Sequence, residues 1–335
     1  MHKLDANNSE NLPAIDSLKF FVAANFVQAC CWKVPRLPVL GETLVASALS
    51  IEAGGKGLNV AIGLRRLGAQ VDALLGIGND AAGDSLTRLL DKENIPVTHV
   101  HRLAGASGHG AGLITAGGEN AIAVYPGANL LLRDEHAELA ETAISAANWV
   151  YGQFETSVSV VQRCFELARQ HDCCTALNPS PWQEIPPALL AATDILVVNE
   201  IEAAKLLHIP DLPINLSAIA SVLSSASEQL WASWSGQLLV VTLGELGCVA
   251  LQPKHTALAI PAFKIEALDS VGAGDAFAAG LLYQLALNTS LAEALRYANA
   301  CGAMLASKLG VLDVLPNHAQ VASFIAAAPH SSTTV

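Results

Sequence analysis

The chain has 335 residues, a net charge of −12 and 52% apolar residues. That length suits one large α/β domain or two average ones, and the acidic balance excludes a nucleic-acid surface. Seven cysteines, with adjacent pairs at 30–31 and 173–174, show neither zinc-ligand spacing nor a paired framework, so reduced thiols are expected.

In chain order, residues 1–18 carry no apolar core like that of a signal peptide and read as a flexible N-terminus, which points to a cytoplasmic protein. Short apolar runs follow at Phe20 to Ala24, Gln70 to Leu75, Asn148 to Tyr151, Cys174 to Leu177, Asp194 to Val198 and Gln237 to Thr242. Such runs fit strands buried on both faces of a parallel sheet. Helical patterns lie between them, at Gly57 to Leu67, Ala81 to Lys92, Ser157 to His171, Ile201 to Leu207 and Leu216 to Leu230, and later at Leu291 to Lys308 and His318 to Ala328. The alternation predicts a doubly wound α/β fold with its site beyond the carboxyl ends of the strands. Four further segments, Val27–Val34, Leu44–Ala53, Gly110–Ala116 and Ala121–Tyr125, pair as strands, the last two through a hairpin at Gly118-Glu-Asn120. The Ser-rich stretch from Ser221 to Gly236, with Trp231 and Trp234, reads as a lengthened helix and loop. Ala276 to Ala292 is free of charge but broken by Gly280, Gln284 and Asn288, so it reads as a buried helix and its turn rather than a membrane span. Residues 329–335 read as a flexible C-terminus.

Two segments carry the chemistry. In Asp269-Ser-Val-Gly-Ala-Gly-Asp275 two carboxylates bracket a small-residue turn that opens an apolar helix. Gly272, Ala273 and Gly274 can turn their N–H groups one way at the positive end of that helix, which makes an anion site. A carboxylate at the mouth of a phosphate cradle makes sense as a proton acceptor for an attacking hydroxyl, although an aspartate before an apolar run also serves as an ordinary cap. The second segment, Ala53-Gly-Gly-Lys-Gly-Leu-Asn-Val-Ala61, lets backbone approach a ligand closely, with donors on Lys56 and Asn59. It lacks the spacing of a Walker A loop. Gly76-Ile-Gly78 after a strand suggests a dinucleotide fingerprint, but its third glycine falls at 83 and no acid follows at the right distance.

Together these segments resemble the ribokinase-like (PfkB) family of carbohydrate kinases. Pro38-Val-Leu-Gly-Glu-Thr43, Pro126-Gly-Ala-Asn129, Asn178-Pro-Ser-Pro181, Val198-Asn-Glu-Ile-Glu202 and Thr242-Leu-Gly-Glu-Leu-Gly247 follow in family order, so the likeness spans roughly residues 19 to 327. The resemblance implies a kinase domain over 19–328, with a small β-sheet lid from about 27–53 and 109–126 that serves for homodimerisation. It implies MgATP as phosphoryl donor and a sugar or nucleoside as acceptor. By its match Asp275 is the general base, and Gly272, Ala273 and Gly274 form the anion hole. Gly54, Gly55, Lys56, Asn59 and Glu155 face the acceptor. Asn199, Thr242, Gly244, Gly247 and Asn299 line the nucleotide side, Glu202 orders magnesium through water, and Asp269 suits a monovalent cation such as potassium.

The sequence departs from the family in two places. Gly310-Val-Leu-Asp-Val314 has Val where many members carry Ser or Thr in the cation loop. After the first strand, where most sugar kinases of the family have Asn-x-Asp, the slots fall on Val27 and Ala29, or on Asn25 and Val27 in the shifted register. Neither register supplies a carboxylate, so Asn25, Phe26 or Gln28 is expected to shape a pocket for something other than ribose. A phosphosugar kinase, with Lys33, Arg36 and His109 as lid donors, a nucleoside kinase and a silent sugar-binding relative are the alternatives.

Overall fold

A computed structural model describes residues 18–115, 117 and 120–328. The expected flexible termini, Ala116 and the first two residues of the hairpin turn lie outside the described residues. The first strands are β1 (Lys19–Ala23), β2 (Val27–Val34), β3 (Ala48–Gly54), β4 (Gln70–Ile77), β5 (Val100–Arg102), β6 (Gly108–Thr115) and β7 (Asn120–Tyr125). They are followed by β8 (Trp149–Gln153), β9 (Cys174–Asn178), β10 (Ile195–Asn199), β11 (Leu238–Thr242), β12 (Cys248–Leu251) and β13 (Leu258–Ile260).

The large sheet runs β13-β12-β11-β10-β9-β8-β1-β4-β5. Its pairs are parallel from β5 to β11, and β12 and β13 add an antiparallel edge. Helices cover both faces, which explains why its strands read as unbroken apolar runs. In β1, Phe20 and Val22 point into one core layer and Phe21 and Ala23 into the other. The same alternation divides Leu238 and Val240 from Leu239 and Val241 in β11.

The charge-free stretch forms the helix Ala273–Ala286, buried along most of its length against the helices Lys56–Leu67 and Leu291–Ala306. No described helix is long and apolar enough to cross a membrane. The Ser-rich stretch runs through the helix Leu216–Ser233 and on to Gly236, and it packs through its tryptophans. Trp234 is buried, stacks on Trp231 at 5.0 Å between centroids, and donates from its indole N–H to the Thr193 carbonyl at 2.8 Å. All seven cysteines are free thiols.

The second sheet, β3-β2-β6-β7, is the lid. It differs from the sequence reading at one end: residues 44–47 form no strand, and pairing begins at Ala48. The lid is tied to the large sheet where β1 passes into β2. There Asn129, fully buried, accepts from the Phe26 N–H at 2.9 Å and donates to the carbonyls of Phe26 and Pro126, each at 2.7 Å. Asn129→Ala would strand both backbone groups of Phe26 in a dry site. Unsatisfied buried groups cost about 1–3 kcal/mol each, so urea denaturation is expected to show a loss of about 2–4 kcal/mol.

Candidate active site

The site gathers at the carboxyl ends of β1, β8, β9, β10 and β11. Asn25 follows β1, Glu155 follows β8, and Asn178, Asn199 and Thr242 end β9, β10 and β11. A cavity of about 60 Å³ opens there, lined by Lys56, Asn178, Ser180, Asn199, Glu202, Thr242, Gly274 and Asp275.

Gly272 opens the helix Ala273–Ala286 in the left-handed region, with φ 77°. A Cβ on it would come within 2.6 Å of Val311 Cγ1, so both the backbone conformation and the space demand glycine. The Ala273 N–H already donates to the Ser270 carbonyl at 3.2 Å. Among the described residues, the amides of Gly272, Gly274 and Asp275 keep no backbone acceptor. They sit at the positive end of the helix dipole.

Asp275 lies in the first turn of this helix and is 6% exposed. Burial pushes its carboxyl up to about 6, while the Lys56 ammonium and a 2.7 Å hydrogen bond from the Asn59 amide pull it back down. Lys56 shows the complementary balance. Burial presses its ammonium down, but Asp275, Glu155 and Glu202 together lift it above the usual lysine value, so it stays a cation. A proton acceptor and a fixed positive charge thus share one cavity with free amides.

In the glycine-rich loop, Gly55 and Gly57 are required by the loop's own protein neighbours. A Cβ on Gly55 (φ 121°) would meet Asn25 at 2.7 Å, and one on Gly57 would meet Ala24 Cα at 2.5 Å. The loop is drawn this close by Asn25, which accepts from the Gly57 N–H at 2.9 Å and donates to Glu155 Oε2 at 2.9 Å. The same carboxylate oxygen accepts from the Lys56 N–H at 2.9 Å. Glu155 therefore orients the loop, and its other oxygen takes no part in these bonds. Gly54, in contact with Val27, closes β3 at the loop's start.

On the far side of the cavity Asn199 and Glu202 form a reciprocal helix cap. The Glu202 N–H donates to Asn199 Oδ1 and the Asn199 N–H to Glu202 Oε2, both at 2.9 Å. Glu202 is buried yet lines the cavity, and its second oxygen suits a hydrated hard cation. No cluster of three or more His, Cys, Asp or Glu side chains able to hold a metal occurs among the described residues.

Other expected residues stand apart. Asn299 donates to the carbonyls of Ile260 and Pro261, each at 3.2 Å, and so anchors the chain after β13. Gly247 (φ 108°) is required because a Cβ would meet the Ile260 carbonyl at 2.1 Å, and Gly244 (φ 56°) turns the loop after β11. Asp269 Oδ1 accepts from the Val271 N–H at 3.0 Å, outside the cavity lining. No pattern in the sequence marks out Tyr151, which is fully buried with no partner for its hydroxyl among the described residues. Burial first, then Asp275, Glu155 and Glu202, hold its proton on. Its place in an apolar strand run gave no signal of this.

Comparison with known proteins gives concordant results. The chain is 31% identical to a ribokinase of Staphylococcus aureus over 84% of its own length and 91% of that protein. It is equally similar, at 31%, to a ribokinase of Mus musculus, covering 84% and 86% of the two chains. The fold superposes with a TM-score of 0.81 on the Arabidopsis thaliana ribokinase solved with ribose and ATP, over 92% of this chain and 98% of that one, at 24% identity. Residues 23–318 match the model of the pfkB family carbohydrate kinases, and the chain belongs to that family of phosphotransferases.

Proposed function

We propose that this protein transfers the γ-phosphoryl group of MgATP to a hydroxyl of a small, unphosphorylated sugar. The observation that carries this reading is Asp275: a buried carboxylate raised to about 6, set among free helix-terminal amides and beside the Lys56 cation. The acceptor hydroxyl gives its proton to Asp275 as its oxygen bonds to phosphorus, and the bond to the ADP oxygen breaks. Lys56 and the amides of Gly272, Gly274 and Asp275 offset charge on the transferring group. Magnesium, when bound through water at Glu202 with Asn199 beside it, supplies charge neutralisation to the phosphates. Asn59 holds Asp275 in place, Gly54, Gly55 and Glu155 shape the acceptor side, and Thr242 and Gly244 face the nucleotide. Asn299 and Gly247 serve that side through the backbone they support. Asp269 keeps one oxygen for a monovalent cation, and exchanging potassium for tetramethylammonium in the assay tests that element.

Arg36 weighs against a phosphosugar acceptor, because it is committed to a two-pronged ion pair with Glu42. His109 Nδ1 is engaged with the Ser107 carbonyl at 2.9 Å. Only Lys33 remains as a lid cation with no partner among the described residues. A nucleoside acceptor is the second reading, since it too is uncharged. The intact group of Asp275, Asn59 and Lys56 argues against a silent relative. One lid face exposes Leu49, Ile51 and Tyr125, which supports a homodimer through the lid, read by sedimentation velocity. Free thiols suit a cytoplasmic location.

The test is coupled ADP release with MgATP across free pentoses, hexoses, sugar phosphates and nucleosides. Turnover on an uncharged acceptor is the expected result. Turnover on sugar phosphates alone, or none with ATP still bound, would sink the reading.

A further inference from the structure

Among the described positions of the lid strands β2, β3, β6 and β7, Glu52 is the sole acidic residue. In the β2–β3 ladder it stands directly opposite Ala29, with Val27 opposite Gly54 and Cys31 opposite Ser50. Paired residues project to the same face of a sheet. Glu52 therefore shares a face with Val27, Ala29 and Cys31 and, across β6, with Gly108, Gly110 and Gly112. Ala29 and the three glycines leave room beside the Glu52 carboxylate, while Ile122 and Val124 of β7 and Lys33 at the far end of β2 border the same face.

That face looks at the active site. Glu52 Oε2 lies 3.7 Å from where a Cβ on Gly310 would stand, and the next residue, Val311, packs on Gly272 of the anion hole. The Cys31 thiol, raised first by burial, also feels Glu52, Cys30 and Asp269. Glu52 makes no hydrogen bond or ion pair among the described residues. The other lid acid in this region, Glu42, is tied to Arg36. An exposed carboxylate facing a reaction centre, with its acceptor sites unused, is suited to hydroxyl donors.

We propose that Glu52 is the residue that reads the acceptor, taking hydrogen bonds from neighbouring hydroxyls of an uncharged polyhydroxy substrate and standing in for the carboxylate that neither Val27 nor Ala29, on the same face, supplies. The inference rests on the kinase reading above.

The test is steady-state kinetics of Glu52→Ala and Glu52→Gln on the acceptor that the wild-type enzyme turns over best. A charged hydrogen bond to a hydroxyl is lost, so Glu52→Ala is expected to raise the acceptor KM by about 10- to 100-fold. The KM for ATP should stay within about twofold, because the anion hole is untouched. Glu52→Gln, which still accepts through its carbonyl, should fall between the two. Ala29→Asp in the Glu52→Ala background returns a carboxylate to the same face and is expected to recover part of the loss. An acceptor KM within twofold of wild type in Glu52→Ala, or a loss that Ala29→Asp does not repair and that extends to the ATP KM, overturns the proposal while the kinase reading stands. Wild-type silence on every acceptor overturns both.

Discussion

Asp275→Asn is expected to lower turnover by about 10²- to 10⁴-fold, the range for removing a general base, without weakening the fold. The amide keeps the shape of the side chain and an oxygen for the Asn59 donor, but it cannot take a proton. The stability half follows from linkage. The folded carboxyl titrates at about 6, above the ordinary aspartate value of 3.8. The folded state thus binds this proton more tightly than the unfolded one. Its contribution is present in full below 3.8 and is lost as pH rises through about 6. At pH 7.5 the wild type carries an ionised buried carboxylate that the amide variant lacks. Its Tm should therefore equal or exceed that of the wild type. Calorimetry at pH 7.5 beside single-turnover kinetics decides the matter: a large fall in Tm would make Asp275 a structural residue. The same protonation sets the wild-type profile, in which activity should rise with pH through about 6 as the base becomes free.

Lys56→Met tests the other half of the pair. Its long apolar chain keeps the packing while the charge goes. Losing one stabilising group at an anionic transition state costs about 10²- to 10³-fold in turnover. The diagnostic result is the pH profile. Lys56 holds the Asp275 carboxyl down against burial, so without it the acid limb must move upward, by about one unit or more. A drop in rate with an unmoved limb would mean that Lys56 serves the phosphate but does not face Asp275. Glu155 and Glu202, which raise Lys56 from the other side, keep their own partners in this variant, so the limb reports chiefly on the Lys56–Asp275 pair.

Much of the fold was legible because burial on two faces leaves a strong trace. β1, β4 and β8 to β11 read as apolar runs since each contributes to both core layers. β5, β12 and β13 did not. They have three or four residues each, too few to show a period, and they exist because a longer neighbour offers them hydrogen bonds. The Ser-rich helix was visible as a helix, but its packing was not, because the Trp234 partner is the Thr193 carbonyl, 41 positions away in the turn before β10.

At the site, the segments 54–59 and 269–275 were legible as local patterns, since a turn and a helix start are built by neighbours in sequence, whereas Asn199 and Glu202 came only with the family resemblance. The glycines at 55 and 57 were visible too, but their cause was not: Asn25 and Ala24 crowd them from a different element. What the chain determined alone is its alternation of strand and helix, its two glycine-rich turns and the kind of chemistry their side chains can do. Tertiary structure alone decided which of those groups meet. Asn25 reaches Glu155 across 130 positions, and Asn59 reaches Asp275 across 216. It also brought Glu52 opposite Ala29 and placed Asp275 where burial raises it. Such pairings depend on strand register and on the desolvation of a closed cavity, quantities that exist only once distant segments have packed.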